Sequence, residues 1–172
     1  RIHTLVVGPP GVGKKLMAHA AWYINPVSKE ADATKISAAG LTGAASRKEK
    51  KWISAPGLIP EAHKGTFIFQ DFRAVMTGSQ RNAALRTFAV VMEEGECKDS
   101  TAAKMTHTAQ TSIHIDTNRL TDLYPGKQVE DFAENIGIPV NVLTRFDVIL
   151  DIPANTEAQI EAALERFRGS TK

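Results

Sequence analysis

The stretch GPPGVGKKL, from Gly8 to Leu16, matches G-x-x-x-x-G-K, the pattern of a phosphate-binding loop. Glycines in such a loop let backbone N–H groups turn onto phosphate oxygens, and the N-terminus of the next helix adds the positive end of its dipole. The pattern predicts that Lys14 reaches the β- and γ-phosphates of a nucleotide; the alternative is a Gly-Pro turn that merely links a strand to a helix. The candidate nucleotide-binding residues are Gly8, Pro9, Pro10, Gly11, Val12, Gly13, Lys14, Lys15 and Leu16.

Lys15 stands where such loops carry Ser or Thr. That hydroxyl normally binds Mg²⁺, whereas an ammonium group only donates hydrogen bonds and cannot bind a cation. Two alternatives stay open: Lys15 points away from the nucleotide, or it takes over part of the electrostatic role of the metal. The second alternative predicts that nucleotide binds with little dependence on Mg²⁺.

The elements that position this loop follow an alternation of short apolar runs and helical stretches, which predicts an α/β fold with a parallel sheet covered by helices. Two helices are indicated by apolar residues at i, i+3, i+4 and i+7, one over Leu85–Met92 and one over Ile160–Phe167. Both are expected to lay an apolar stripe on the sheet. The five predicted strands are Thr4–Val7, Ala33–Ser37, Thr66–Phe69, Thr111–Thr117 and Phe146–Ile152.

Length and composition set the class of protein. A chain of 172 residues that is 42% hydrophobic is long enough for one full core, so residues 1–172 are expected to form one domain. The lone Cys97 argues against a disulfide framework, and no apolar run approaches the roughly 18 residues that cross a bilayer. We therefore expect a soluble intracellular protein without a membrane partner, and the start at Arg1 suggests a fragment of a longer chain.

Three further segments resemble the AAA+ core of the minichromosome maintenance (MCM) helicases, and the resemblance covers nearly the whole chain. A Gly-Leu-Thr insert and a G-x-x-x-A-x-x-G run lead into a third strand, TFIFQDF. A later run is close to the family's S-E-N-[IV]…P…L-L-S-R-F-D. The matching residues are Gly40 to Thr42, Gly57 to Gly65, Ala133 to Ile136, Pro139 and Leu143 to Asp147.

The resemblance implies a P-loop NTPase of the AAA+ type, with a five-stranded parallel sheet, helices on its faces and hairpin inserts. It implies ATP and Mg²⁺ as ligands, DNA as a partner, and a homo- or hetero-oligomeric ring, a hexamer in this family, acting in a prokaryotic cytoplasm or a eukaryotic nucleus. By the same resemblance Asn118 is the polar sensor that orients the attacking water. Arg145 is the arginine finger that reaches the nucleotide of a neighbouring subunit.

The acidic strand departs from the family, in which it ends Asp-Glu-Phe. Aligned on Phe72, Gln70 falls at the metal-binding aspartate, where it could still offer a neutral carbonyl, and Asp71 falls at the catalytic glutamate, one methylene shorter. In the shifted alignment Asp71 binds the metal and Phe72 stands where the base should be. Either alignment predicts poor hydrolysis, so a catalytically inactive paralogue serving as a ring or scaffold subunit is the main alternative, and another AAA+ ATPase, such as a chelatase, is a further one.

Two polar segments, Gly40–Lys51 and Gly95–His107, are expected to form loops or hairpins that project from the core. In the MCM family the corresponding inserts face the ring channel, so their basic residues are candidate DNA contacts and Trp52 is a candidate for stacking on a base. The alternative is a solvated basic loop with Trp52 packed against the domain. The candidate DNA-binding residues are Arg47, Lys48, Lys50, Lys51, Lys98 and Lys104.

Overall fold

The computed structural model describes residues 1–48, 51–73, 78–98, 105–121, 128–157, 159–161 and 165. Within them, a five-stranded sheet has the order β2-β5-β8-β1-β9, and all of its strand pairs are parallel. These five strands are β1 (Thr4–Val7), β2 (Lys29–Asp32), β5 (Thr66–Gln70), β8 (Ser112–Thr117) and β9 (Val148–Asp151). The chain is therefore an α/β protein of the predicted class, with the predicted number of strands in the parallel sheet.

The prediction of the second strand at Ala33–Ser37 is wrong, because that strand, β2, spans Lys29–Asp32. The strand ends in a turn in which the Asp32 carboxylate accepts a hydrogen bond from the N–H of Thr34. Since β2 lies at an edge of the sheet, the charged residues Lys29 and Glu30 can face solvent there. The strand therefore lacks the run of apolar residues from which strands were predicted.

Helices cover the sheet on both faces. The predicted helix at Leu85–Met92 is confirmed within α4 (Gly78–Glu94), which buries Leu85, Phe88 and Met92. For the helix predicted at Ile160–Phe167, residues 157, 159–161 and 165 are helical, and its apolar residues at 163, 164 and 167 lie outside the described side chains. The other helices are α1 (Lys14–Ile24), α2 (Ala38–Thr42), α3 (Leu58–Glu61), α5 (Val129–Ile136) and α6 (Val140–Leu143).

The main core lies on the face of the sheet that α4 covers. Phe67 and Phe69 of β5 alternate with residues of the opposite face, so both rings point to the same side as Phe88. Their rings approach that of Phe88 with centroid distances of 6.2 and 5.1 Å. Helix α1 packs on the opposite face, where Ala18 is buried. This packing fixes β1, β5 and β8 side by side, which brings their carboxyl ends to one edge of the sheet.

The two polar segments contribute to antiparallel hairpins, as predicted. β3 (Gly43–Lys48) pairs with β4 (Lys51–Pro56), and β6 (Glu96–Lys98) pairs with β7 (Thr106–Thr108). The hairpins are joined by a hydrogen bond of 2.9 Å between Ser54 Oγ and His107 Nε2. Among the described residues, no helix has the length and hydropathy needed to span a bilayer.

Candidate nucleotide site

The loop from Gly8 to Gly13 joins β1 to α1 at the carboxyl edge of the sheet. Gly11 and Gly13 adopt φ values of +84° and +88°, in the left-handed region that favours glycine, and Gly13 is the N-cap of α1. A Cβ built on either glycine would meet no described atom within 4 Å. The loop therefore has the open concave form that lets backbone amides approach a phosphate group.

Lys14 is 7% exposed and crosses the loop. Its Nζ donates hydrogen bonds of 2.8 Å to the carbonyl oxygens of Gly8 and Pro9 and to Oδ1 of Asn118. Burial lowers the pKa of Lys14, and a nearby carboxylate, that of Asp116, opposes the effect. The structure thus joins the predicted phosphate lysine, Lys14, to the predicted sensor, Asn118. Oδ1 of Asn118 accepts a hydrogen bond from the Lys14 ammonium group that a phosphate oxygen would otherwise accept.

The loop and three strand ends enclose a cleft of ≈ 380 Å³. The strands that contribute are β1, β5 and β8, whose carboxyl ends meet there because the sheet is parallel. The lining residues are Pro10, Gly11, Gly13, Lys14, Lys15, Gln70, Asp71, Asp116 and Asn118. Every sequence-predicted metal position and two of the three predicted catalytic residues, Asp71 and Asn118, therefore lie in one site.

Gln70 and Asp71 differ sharply in exposure. Gln70, the last residue of β5, is 5% exposed, and among the described residues its buried Nε2 has no hydrogen-bond partner. Asp71 is exposed, with φ at +53°, and its N–H donates to Oδ1 of Asp116 over 3.0 Å. The turn after β5 consequently presents the Asp71 carboxylate to the cleft while Gln70 stays beneath it.

Asp116 is a site residue that the sequence analysis missed. It is 3% exposed on β8, and its backbone and side chain accept hydrogen bonds from the N–H groups of Phe72 and Asp71. Burial raises the pKa of its carboxyl group, an effect that the hydrogen bond from Asp71 and the charge of Lys14 partly offset. An aspartate directly after Ile113 and Ile115 in the predicted strand, two residues before Asn118, was the sequence signal that could have found it.

The residues at the positions that would hold Mg²⁺ fit a divalent cation poorly. Lys15 is exposed beside the cleft and carries an ammonium group, and Gln70 places there a buried N–H₂ donor that has no partner among the described residues. Within the described part of the chain, no group of three or more His, Cys, Asp or Glu side chains is placed to hold a metal ion. The donors at these positions suit an anion rather than a cation.

Arg145 lies at the other edge of the sheet. It precedes β9, and because Thr4 pairs with Val148 at the start of both strands, Arg145 stands at the amino ends while the loop stands at the carboxyl ends. Four residues of strand span about 13 Å. Arg145 forms an ion pair of 2.8 Å with Glu93 and donates to the carbonyl oxygen of Asn141, while its Nε is buried with no partner among the described residues. It is therefore not part of the cleft of its own chain.

The first hairpin exposes its basic arms. Arg47 pairs with Trp52 in the β3–β4 register, and Trp52 is 51% exposed, which argues against an indole packed on the domain. Lys51 and Lys98 are also exposed, Lys98 on the second hairpin. The side chain of Lys48 and all of Lys50 and Lys104 lie outside the described residues.

A family model, the MCM P-loop domain, matches residues 1–167. The chain is also 30% identical over 161 residues to an uncharacterized MCM-type protein of Methanocaldococcus jannaschii, an alignment that covers 88% of this chain and 22% of that protein. The chain thus spans less than a quarter of the length of this relative.

Proposed function

The chain belongs to the MCM family, and from this premise we propose that it is the ATP-binding core of an MCM-like replicative DNA helicase with weak or absent ATP hydrolysis. The observation that carries the proposal is the cleft of ≈ 380 Å³ at the carboxyl edge of the sheet, which joins the glycine loop, Lys14 and Asn118. A P-loop domain implies that this cleft receives the nucleotide phosphates.

Binding of ATP would exchange the hydrogen bonds of Lys14. Its Nζ leaves the carbonyl oxygens of Gly8 and Pro9 for phosphate oxygens, a stronger acceptor because the bond then joins two charged groups. The N–H groups of the loop and the N-terminus of α1 add to the attraction. The same exchange frees Oδ1 of Asn118, which can then hold a water molecule next to the terminal phosphate.

Weak hydrolysis follows from the groups around that water. Asp71 is the carboxylate at the position of the base, and its side chain is one methylene shorter than the glutamate of the family. A displacement of about 1 Å can lower a rate by roughly a hundredfold. Lys15 and Gln70 do not supply oxygen ligands of the usual kind, so they would hold Mg²⁺ poorly, and a bound cation would supply less charge stabilisation than in other P-loop enzymes.

Assembly into a ring is supported by the position of Arg145. A residue at the amino edge of the sheet cannot reach the cleft of its own chain, whereas a neighbour packed edge to edge would present it to the next nucleotide. DNA would then contact the exposed arms of the hairpins, through Arg47, Lys51 and Lys98, with the remaining candidates Lys48, Lys50 and Lys104 adding charge. Homo- and hetero-oligomeric rings both satisfy this arrangement.

The second candidate function is that of an MCM paralogue that occupies a ring or scaffold position without hydrolysing ATP. Lys15 and Gln70 favour it, since both positions have lost the oxygen ligand expected for a metal. A chelatase-like ATPase is disfavoured by the match to the MCM P-loop domain over residues 1–167.

The binding proposal is tested by titrating a fluorescent ATP analogue into the chain and into Lys14→Ala. Loss of a hydrogen bond between charged groups costs about 1.5–3 kcal/mol, so the dissociation constant should rise by roughly 10- to 100-fold. Lys35→Ala, at an exposed lysine whose side chain is 80% accessible, is the matched control and should bind like the unchanged chain. Equal binding by all three chains would show that the loop does not hold the nucleotide.

Hydrolysis is tested by comparing steady-state ATP turnover of the chain with that of the double variant Lys15→Ser, Gln70→Asp. Restoring a hydroxyl and a carboxylate should raise turnover if the two positions limit metal binding. Clear turnover before the change would discard the inactive candidate, and unwinding of forked DNA by the assembled protein would separate a helicase from other ATPases.

A further inference from the structure

Among the described residues, the amide nitrogen of Gln70 makes no hydrogen bond that would hold the fold. Its backbone carbonyl accepts the N–H of Ala33 over 3.0 Å and the residue pairs with Asp32 across β2 and β5, so the main chain is fixed by the sheet. The side chain lines the cleft and is 5% exposed, yet its Nε2 is shut off from water and bonds to no described atom. Buried donors are almost always paired, so this one calls for a partner that the described residues do not provide.

The neighbours of Gln70 indicate the chemistry of that partner. Gly11, Gly13, Lys14 and Lys15 line the same cleft, and they offer backbone N–H groups and two ammonium groups. One oxygen of Asp116, which is also in the cleft, already accepts the N–H of Asp71. A ligand that satisfies these donors together must carry several acceptor oxygens and negative charge, as a polyphosphate does.

Lys15 and Gln70 both depart from the P-loop pattern by replacing an oxygen ligand for a cation with a hydrogen-bond donor. Where other members place a hydroxyl and a carboxylate that face a cation, this chain places an ammonium group at Lys15 and an amide at Gln70, and both can donate to phosphate oxygens. The net charge beside the phosphates is preserved, because a divalent cation with one carboxylate carries one positive charge, as does Lys15 with a neutral amide. Without a cation, a carboxylate at position 70 would repel the phosphates, whereas an amide attracts them.

We propose that Gln70 Nε2 is a phosphate-binding donor, which together with Lys15 selects nucleoside triphosphate that carries no bound divalent cation. The inference rests on the proposed ATP-binding function and deepens it, since it assigns the form of ATP that the cleft recognises. Gln70 acts as a binding and specificity-determining residue, in contact with the ligand, rather than as a ligand of a metal.

The test is calorimetric titration of ATP, and of inorganic triphosphate as a base-free probe, in chelator and in excess Mg²⁺. Gln70→Glu keeps the shape of the side chain but replaces the donor with a negative charge. It should weaken binding in chelator by about tenfold to a hundredfold, the range expected for a hydrogen bond to a charged group, and Mg²⁺ should restore part of the loss. Gln110→Glu, an exposed glutamine before β8 at the far edge of the sheet, makes the same charge change and should bind like the unchanged chain.

Gln70→Leu tests whether any loss of binding comes from a loss of folding. Replacing an amide whose buried Nε2 has no partner among the described residues with an apolar side chain should leave the melting temperature unchanged or higher, while binding in chelator falls. Unchanged affinity of both Gln70 variants in chelator, with ATP still bound, would overturn this inference alone. Failure of the unchanged chain to bind ATP in either buffer would overturn both this inference and the proposed function.

Discussion

Gly13→Ala separates two roles of the phosphate-binding loop, its fold and its ligand. Gly13 has φ at +88° and serves as the N-cap of α1 without a side-chain cap. A methyl group added there would touch no described atom within 4 Å, so the variant introduces no steric clash. Any loss of stability must therefore come from the left-handed backbone conformation alone.

The size of that loss can be estimated. An L-residue with a side chain in the left-handed region costs ~1–2 kcal/mol, relative to glycine. For a chain of this size, each kcal/mol lowers the melting temperature by about 2–4 °C, so Gly13→Ala should melt about 2–8 °C lower. If the backbone relaxes instead, its N–H groups turn away from the phosphates, and ATP binding should weaken by at least about tenfold.

Thermal melting and ATP titration of the same preparations measure both effects. Gly78→Ala is the matched control, because a methyl group at the start of α4 also meets no described atom within 4 Å and no left-handed φ is required there. It should be neutral or stabilising by up to about 1 kcal/mol, since alanine is the better helix former. A Gly13→Ala chain that melts with the unchanged protein and also binds ATP as tightly would refute the reasoning, as would a Gly78→Ala chain that loses as much stability.

Three other outcomes are expected. Asp116→Asn keeps an acceptor for the Asp71 N–H but removes a carboxylate charge whose burial raises the pKa of Asp116. The variant should therefore have a higher urea midpoint at neutral pH. This gain should disappear as the pH falls through the raised pKa to below 3.8. Burial lowers the pKa of His114 from 6.5, so the stability of the fold should decrease as the pH falls below 6.5. His114→Leu should flatten the plot of melting temperature against pH. Part of the slope should remain, because burial also lowers the pKa of His3. Arg47→Ala should weaken DNA binding and reduce the slope of log K against log salt by about 1, whereas Arg86→Ala, on an exposed part of α4, should leave both unchanged.

The sequence alone was sufficient for the loop and for most of the sheet. The spacing of glycines and lysine between an apolar strand and a helix is a local signal, and β1 and the loop lie where that signal places them. Three other strands, β5, β8 and β9, are buried or apolar enough to be found from composition, with ends shifted by one or two residues. The edge strand β2 was misplaced because charged residues at an edge carry no apolar signal.

The site was predictable where its residues belong to the loop pattern or to segments that resemble a known family. Lys14 and Lys15 were found from the loop pattern, Gln70 and Asn118 were found from the resemblance to the MCM family, and the structure brings all four to one cleft. Asp116 was missed because its importance comes from β8 lying next to β5, so that its carboxylate receives the N–H of Asp71, a contact across 45 residues of sequence.

The sequence by itself determined which chemical groups the chain carries: a glycine loop that can receive phosphate, and hydrogen-bond donors at Lys15 and Gln70, two positions that usually carry oxygen ligands. What only the tertiary structure decided is which groups meet. Three features follow from the order of the parallel strands: the hydrogen bond from Lys14 to Asn118, the Gln70 Nε2 that bonds to no described atom, and the placement of Arg145 at the opposite edge. Strand order depends on packing between residues far apart in the chain, and local patterns of residues carry little information about it.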